Sequence, residues 1–325
     1  MNEAMIERRR KQLSQAYTFP AQRRTRALGH RIKGAPRRPN FVRRLVAKTQ
    51  FQLLPHYWGG PPRWRVWARR TFGATRTLPD FYVVGPIKSA TSDLAVNLLL
   101  HPNVMLPLAK ELRGRHPEEW RAFYPTEKEK RRHAERHGLA LSPFLGPFLD
   151  DMELPYNISR VQPGAKVVLT LRNPAERVYS HWKWEFYLTG ARRAPTLPFL
   201  SSFSSFVDTS LDVFSNGRMY TQCGWDALLT SIYWRSVKNW IDAIGRDNVL
   251  VLDIAGYFRD REYYLRQIYD FVGLPHVSGV PSNDKINENP IKLPPADDAT
   301  MSKLSSFFEP YNQKLWGVIG KEFSW

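Results

Sequence analysis

The chain has 325 residues, 42% of them hydrophobic, and its 48 Lys and Arg against 30 Asp and Glu give a formal net charge of +18. This composition excludes a disordered acidic chain and a collagen-like chain, and it is typical of a protein with a packed core. The single cysteine, Cys223, cannot form an internal disulfide or a thiolate zinc cluster. Its isolation favours a reducing compartment.

The basic charge is concentrated near the N-terminus. Residues 1–80 hold 19 Lys and Arg against 3 Asp and Glu, whereas residues 81–325 carry a net charge of only +2. We therefore predict a basic arm over residues 1–77, partly disordered or packed on the surface, and a folded domain over residues 78–325. Two interpretations of the arm stay open: it packs on the domain surface, or it binds an anionic polymer or a membrane surface.

The hydropathy pattern bears on location. The sequence has no run of about 18 apolar residues of the kind that predicts a transmembrane helix. Its first 30 residues also lack the apolar stretch of a signal peptide. We expect a cytoplasmic location, with peripheral attachment to a membrane as the alternative.

Short apolar runs predict three buried strands, at residues 81–84, 166–171 and 249–252. Helical patterns follow or separate them at residues 93–100, 117–124, 126–137, 174–188, 225–244 and 261–272, with a last helix toward residue 325. Residues 190–224 and 275–298 show no clear period and are assigned to loops. Alternating strands and helices predict an α/β fold with a central parallel sheet flanked by helices.

A candidate anion site follows the first predicted strand. We name residues 85–92 the phosphate loop, because a loop that begins at a glycine and leads into a helix points backbone N–H groups and the positive helix end at one spot. Lys88 adds an ammonium there. Three hydroxyls accompany it, from Ser89, Thr91 and Ser92. The alternative is an ordinary turn with a solvated lysine. The spacing differs from a Walker A loop, since no second glycine precedes Lys88.

A second candidate element follows the predicted strand at residues 166–171. Arg172 stands at the strand end, and the spacing from Asn173 to Glu176 is that of a capping box that opens a helix. Arg172 has the forked donors that hold phosphate, and Ser180 lies two turns into the helix. Because ligands bind at the carboxyl ends of parallel strands, both elements are expected to face one ligand.

The two elements together resemble the nucleotide-binding pair of the sulfotransferases. In that family G-x-x-K-[SG]-G-T-[ST] holds the 5′-phosphosulfate of 3′-phosphoadenosine 5′-phosphosulfate (PAPS), and L-R-[DN]-P-x-x-R-x-x-S holds its 3′-phosphate. The resemblance implies a single P-loop-like three-layer domain in which PAPS is bound by Lys88, Ser89, Ala90, Thr91, Ser92, Arg172 and Ser180. Ala90 stands where the family usually has glycine.

Downstream features are similar to the heparan-sulfate-type branch of carbohydrate sulfotransferases. They include Tyr233, Trp240 and residues 271–275, 308–312 and 323–325, so that the resemblance covers about residues 78–325. It implies sulfuryl transfer to a hydroxyl or amine of a saccharide or other small acceptor, without a metal. A specific nucleic-acid partner is not expected.

The resemblance also implies catalytic roles. Lys88 would stabilise the leaving phosphate, and Glu111 would act as the general base toward the acceptor hydroxyl. The alternative for Glu111 is a solvated loop carboxylate that pairs with Lys110. His181 is the alternative base, since other branches use a histidine. Two segments depart from the branch pattern: residues 112–115, and residues 139–143, where a carboxylate near the acceptor is missing.

Two other functions compete with this one. The first is a P-loop-type nucleotide kinase or hydrolase, against which the spacing of Lys88 counts. The second is a protein that binds a polyanion or a membrane surface through its basic arm.

Overall fold

The fold is built on one parallel sheet. The computed structural model describes residues 61–72, 75–112, 114, 116–186, 198–216, 227–277, 293 and 295–325. Within them, four strands pair in the order β2-β1-β3-β4: β1 (Phe81–Val84), β2 (Pro143–Gly146), β3 (Lys166–Leu171) and β4 (Val249–Asp253). This confirms the predicted α/β fold with a central parallel sheet. The edge strand β2 was not predicted, because it is only four residues long and begins at a proline.

Helices cover both faces of the sheet. In the described residues they are α1 (Arg63–Thr71), α2 (Thr91–Leu100), α3 (Glu127–His137), α4 (Leu154–Val161), α5 (Pro174–Glu185), α6 (Phe203–Ser215), α7 (Trp234–Ile244), α8 (Ile254–Arg259), α9 (Arg261–Val272) and α10 (Asp298–Ile319). Short 3-10 helices occupy Pro117–Phe123, Pro198–Leu200, Leu229–Ser231 and Arg246–Asn248.

The core lies on both sides of the strands, because successive strand side chains point to opposite faces. Val84 and Leu169 pack on one face against α4, α7 and the end of α10. Val83 and Val168 pack on the other face against α2, α8 and α9. Full burial of one such side chain contributes about 1.5–3 kcal/mol. Burial on both faces explains why the strands read as continuous apolar runs.

A third apolar cluster joins α5, α6 and α10. Phe203, Phe206 and Val207 pack there with Trp182 and Phe308. The loop predicted over residues 190–224 is therefore wrong for α6, whose apolar residues are spaced to share one helix face. Residues 187–197 and 217–226 lie outside the described residues.

Several helix ends also differ from prediction. The helix predicted from residue 225 begins at Trp234, and the helix predicted over residues 117–124 is a 3-10 helix over Pro117–Phe123. Asn173 caps α5 by accepting hydrogen bonds from the N–H groups of Ala175 and Glu176. The Glu176 carboxylate instead pairs with Arg172, so the second half of the predicted capping box is replaced by an ion pair.

The described end of the basic arm contacts the domain. Arg69 Nη1 donates to the carbonyl of Ala122 at 3.0 Å, and Arg76 Nη1 donates to the carbonyl of Tyr124 at 2.9 Å. Residues 1–60 lie outside the described residues. In the part of the chain that the structure describes, no helix combines the length and apolarity needed to cross a membrane.

Candidate active site at the carboxyl edge of the sheet

Hydrogen bonds tie the predicted site elements together at the carboxyl edge of the sheet. The Gly85 N–H donates to the Gly146 carbonyl at the end of β2, at 3.4 Å. Arg172, which follows β3, donates from Nη1 to the Lys88 carbonyl at 3.4 Å. The Glu111 N–H donates to the Leu145 carbonyl at 2.9 Å. The phosphate loop, Arg172 and Glu111 therefore lie at one edge, as the parallel topology requires.

The phosphate loop is fixed against β3. A Cβ atom at Gly85 would collide with the Thr170 side chain and lie 2.8 Å from the Thr170 carbonyl oxygen, so only glycine permits this approach. The buried Ser89 hydroxyl donates to the Pro86 carbonyl at 2.8 Å and lies 3.1 Å from Thr170 Oγ1. Ser89 thus contributes to loop shape. Sequence reasoning missed Thr170, although a hydroxyl inside an apolar strand is a readable signal.

Backbone strain marks the same edge. Among the described residues, three non-glycine residues have positive φ: Lys88 at 75°, Ala90 at 55° and Glu111 at 59°. A left-handed conformation costs about 1–2 kcal/mol for a residue with a side chain. Such residues concentrate at functional sites, where the surrounding structure holds them. All three are residues that the sequence assigned to the site.

The N-terminal end of α2 faces the loop. Ala90 precedes the helix in a left-handed conformation, and no side chain caps the first turn. The first N–H groups of a helix have no intrahelical acceptor and carry partial positive charge. Thr91 and Ser92 belong to this turn. The geometry is that of an anion-binding helix terminus.

The Lys88 side chain reaches toward α5. Its Nζ lies 4.6 Å from the centroid of the Trp184 ring, a cation–π geometry. This contact places the Trp184 ring beside the phosphate loop.

Arg172 lies where β3 leads into α5. Its Nη2 is 3.3 Å from Glu176 Oε2, and its carbonyl accepts a hydrogen bond from the Tyr233 hydroxyl at 3.0 Å. Ser180 is four residues beyond Glu176 and therefore lies on the same face of α5. Lys183, which sequence reasoning missed, has its pKa lowered by burial and by the charge of Arg172. These cations suit a phosphate group.

Glu111 is joined to the phosphate loop through its neighbour. The Lys110 ammonium, on a side chain only 2% exposed, lies 2.8 Å from Glu111 Oε1. The same ammonium donates to Ser92 Oγ at 2.7 Å. The Glu111 side chain is 43% exposed, so a molecule from solvent can reach its carboxylate. Sequence reasoning noted Lys110 only as a possible partner of Glu111 and missed its bond to Ser92.

His181 occupies a different environment. It is 1% exposed, with Nδ1 3.4 Å from Arg177 Nη2 and Nε2 3.6 Å from Glu185 Oε1. Burial, together with the charges of Arg177 and Lys88, lowers its pKa despite the raising effect of Glu185. Arg177 is buried as well and donates to the Ala227 carbonyl at 2.9 Å. The lowered pKa favours the neutral form of this buried histidine, which belongs to α5.

The side chains at the carboxyl edge contribute ammonium, guanidinium and hydroxyl groups, which suit an anion. The carboxylates of Glu111 and Glu176 pair there with Lys110 and Arg172. Among the described residues, no group of three or more His, Cys, Asp or Glu is arranged to hold a metal ion.

Comparison with known sequences identifies relatives of this site. The family model described as "Sulfotransferase domain" matches residues 80–289. Carbohydrate sulfotransferase 15 of Mus musculus is 23% identical, over 77% of this chain and 55% of that protein. Heparan sulfate glucosamine 3-O-sulfotransferase 6 of Mus musculus is also 23% identical, over 77% of this chain and 74% of that protein. The chain thus spans about half the length of the first relative.

The fold has a solved counterpart. The sulfotransferase from Alicyclobacillus acidocaldarius superposes with a TM-score of 0.52 at 21% identity, over 76% of this chain and 98% of that one. This likeness supports the fold. The phosphate loop, Glu111 and Arg172 all fall inside the matched residues 80–289, which make up more than half of the chain. The chain belongs to the sulfotransferase family.

Proposed function

We propose that this protein transfers the sulfuryl group of PAPS to a hydroxyl, or an amine, of a saccharide. One observation carries the proposal. Three elements of the sulfotransferase pattern, the phosphate loop, Arg172 and Glu111, are joined through hydrogen bonds at one sheet edge. An accidental sequence match would not bring them together.

The chain's own residues fit the donor. The phosphate loop with Lys88 and the start of α2 would hold the 5′-phosphosulfate, because both supply positive charge and N–H donors. Arg172 and Ser180 would hold the 3′-phosphate. The close approach of Gly85 to Thr170, which a side chain at residue 85 would prevent, fixes this loop against β3.

Each catalytic residue then has a stated task. Bound PAPS supplies a sulfuryl group whose bond to a phosphate oxygen breaks as sulfur bonds to the acceptor oxygen. Lys88 stabilises the charge that develops on that phosphate oxygen. The Glu111 carboxylate takes the proton of the acceptor hydroxyl. We assign the base to Glu111 rather than His181, because Glu111 is half-exposed at the edge and His181 is buried.

The acceptor class rests on the relatives and on local charge. The printed names of two relatives refer to a carbohydrate and to heparan sulfate glucosamine. In the sequence, Arg113 and Arg115 follow Glu111 closely. Positive charge next to the base favours an anionic saccharide through electrostatic attraction.

The basic arm has a separate proposed role, which is binding to an anionic polymer or membrane surface. Helix α1 leaves Trp64 and Trp67 more than half exposed beside several arginines, a combination found at membrane interfaces. Removal of residues 1–40 should keep nucleotide binding and reduce the salt dependence of binding to anionic vesicles or heparin. An unchanged salt dependence would contradict this role.

The transfer assay uses radiolabelled PAPS with desulfated heparan sulfate, and a second desulfated glycosaminoglycan as comparison. We expect label in at least one saccharide and an equal amount of 3′-phosphoadenosine 5′-phosphate (PAP). Mg·ATP is offered in parallel. Turnover of Mg·ATP without sulfuryl transfer would instead support the nucleotide kinase or hydrolase.

A further inference from the structure

We infer that Lys110 is a positioning residue that couples the base Glu111 to the phosphate loop. The inference rests on the proposed function, and it adds a residue to which the sulfotransferase pattern gave no role here. Its basis is a buried ammonium that bridges the adjacent Glu111 and Ser92, which lies 18 residues from Lys110 in sequence.

The Lys110 side chain is held firmly. Only 2% of it is exposed, and its backbone lies between the buried residues Ala109 and Leu112. A buried ammonium is costly unless it is paired, and here a carboxylate and a hydroxyl accept from it at 2.8 and 2.7 Å. The arrangement therefore differs from a mobile surface ion pair.

Lys110 fixes the carboxylate end of Glu111. The backbone of Glu111 is fixed independently, by its bond to the Leu145 carbonyl and its left-handed φ of 59°. With Oε1 held by the ammonium, the orientation of the carboxylate is fixed. A base restrained at both ends loses little freedom when the reacting groups align.

Lys110 also sets the role of the Ser92 hydroxyl. A serine oxygen accepts through its lone pairs and donates one hydrogen, so an ammonium on the acceptor side directs the O–H away from itself. Ser92 lies in the first turn of α2, where the phosphosulfate would bind. The Lys110 ammonium thus orients the Ser92 hydroxyl for its contact with PAPS and the Glu111 carboxylate for its contact with the acceptor.

The test compares Lys110→Met, Lys110→Arg, Glu111→Gln and the double variant Lys110→Met/Glu111→Gln. Methionine keeps the buried apolar stem and removes the charge. We expect Lys110→Met to lower kcat about 10–100-fold, since small misplacement of reacting groups costs this much. The Kd for PAP should change less than about threefold, because Lys110 has no proposed contact with the 3′-phosphate.

Two further results identify action through Glu111. The double variant should be slower than Glu111→Gln by a smaller factor than Lys110→Met is slower than the wild-type protein, since residues that act as a unit are not additive. Lys110→Arg should recover part of the lost kcat. As a matched control, Lys130→Met removes a partly buried ammonium that pairs with Asp80 at the opposite edge of the sheet. That variant should lower thermal stability and leave kcat unchanged.

The outcomes separate two kinds of failure. The inference is overturned if Lys110→Met keeps full kcat, if its loss multiplies with that of Glu111→Gln, or if both Lys110 variants fail to fold and so reveal a structural role. In all these cases the wild-type protein still transfers sulfate. Absence of transfer by the wild-type protein overturns the proposed function itself, and full activity of Glu111→Gln overturns the assignment of the base.

Discussion

The donor half of the candidate site lies between β1 and β3, whereas the acceptor half lies toward the edge strand β2. In the donor half, the phosphate loop is fixed by Ser89 and Thr170, and Arg172 binds the Lys88 carbonyl. In the acceptor half, Glu111 depends on Lys110 and on one backbone bond to β2. The donor half follows the family pattern closely, and the acceptor half departs from it at residues 112–115 and 139–143.

The difference reflects what each half must recognise. A phosphate group is met by backbone N–H groups, a helix terminus and forked cations, which are fixed by the fold and by a short motif. A saccharide acceptor is met by side chains from loops, which vary between proteins on one scaffold. A sequence motif can therefore identify the residues that bind the sulfuryl donor, whereas no comparable motif identifies those that bind the acceptor.

The strongest test of the donor half is Lys88→Ala. Loss of the ammonium should lower kcat by about 10³-fold, because the charge that it stabilises develops only as the phosphate leaves. The Kd for PAP, measured by calorimetry, should rise far less. A fall in kcat and a rise in Kd by the same factor would show that Lys88 only binds the nucleotide and has no catalytic role.

Glu111→Gln tests the acceptor half. Glutamine keeps the shape but cannot take a proton at neutral pH, so turnover of a hydroxyl acceptor should fall about 10²-fold or more with unchanged Kd for PAP. His181→Gln serves as the comparison. His181 is buried against Arg177 and Glu185, away from solvent, so its replacement should affect stability rather than kcat. Normal turnover by Glu111→Gln, together with inactive but folded His181→Gln, would move the base to the histidine.

Arg172→Ala tests which phosphate group of the nucleotide Arg172 binds in the donor half. Removal of a charge-assisted pair is worth about 1.5–3 kcal/mol, or about 10–150-fold in affinity. The loss should appear for PAP and be absent for adenosine 5′-phosphosulfate, which lacks the 3′-phosphate. Glu176→Gln is the matched control, because it frees Arg172 from its ion pair and should keep the preference for the 3′-phosphate. Equal weakening of both nucleotides would break the assignment.

The sequence predicted what local patterns determine. Three strands follow from short apolar runs, and the two donor motifs and Glu111 follow from the resemblance to the sulfotransferases. The strand β2 was not predicted because it begins at Pro143. The helix α6 was not predicted because its Ser- and Phe-rich composition obscures the helical spacing of its apolar residues. The contact of Ser89 with Thr170 joins residues that are 81 positions apart in sequence, and the contact of Lys110 with Ser92 joins residues that are 18 positions apart. Only the folded chain brings these side chains together.

The smallest expected effect concerns Ala90, which stands where the family usually has glycine. Its φ of 55° is costly for alanine and free for glycine, while glycine loses more backbone entropy on folding. The balance predicts that Ala90→Gly stabilises the protein by up to about 1 kcal/mol, which is a rise of about 2 °C in Tm. Ala95→Gly, in the interior of the same helix α2, should lower Tm instead, because the helical conformation there favours alanine. A fall in Tm for both variants would show that the loop conformation at Ala90 is not strained.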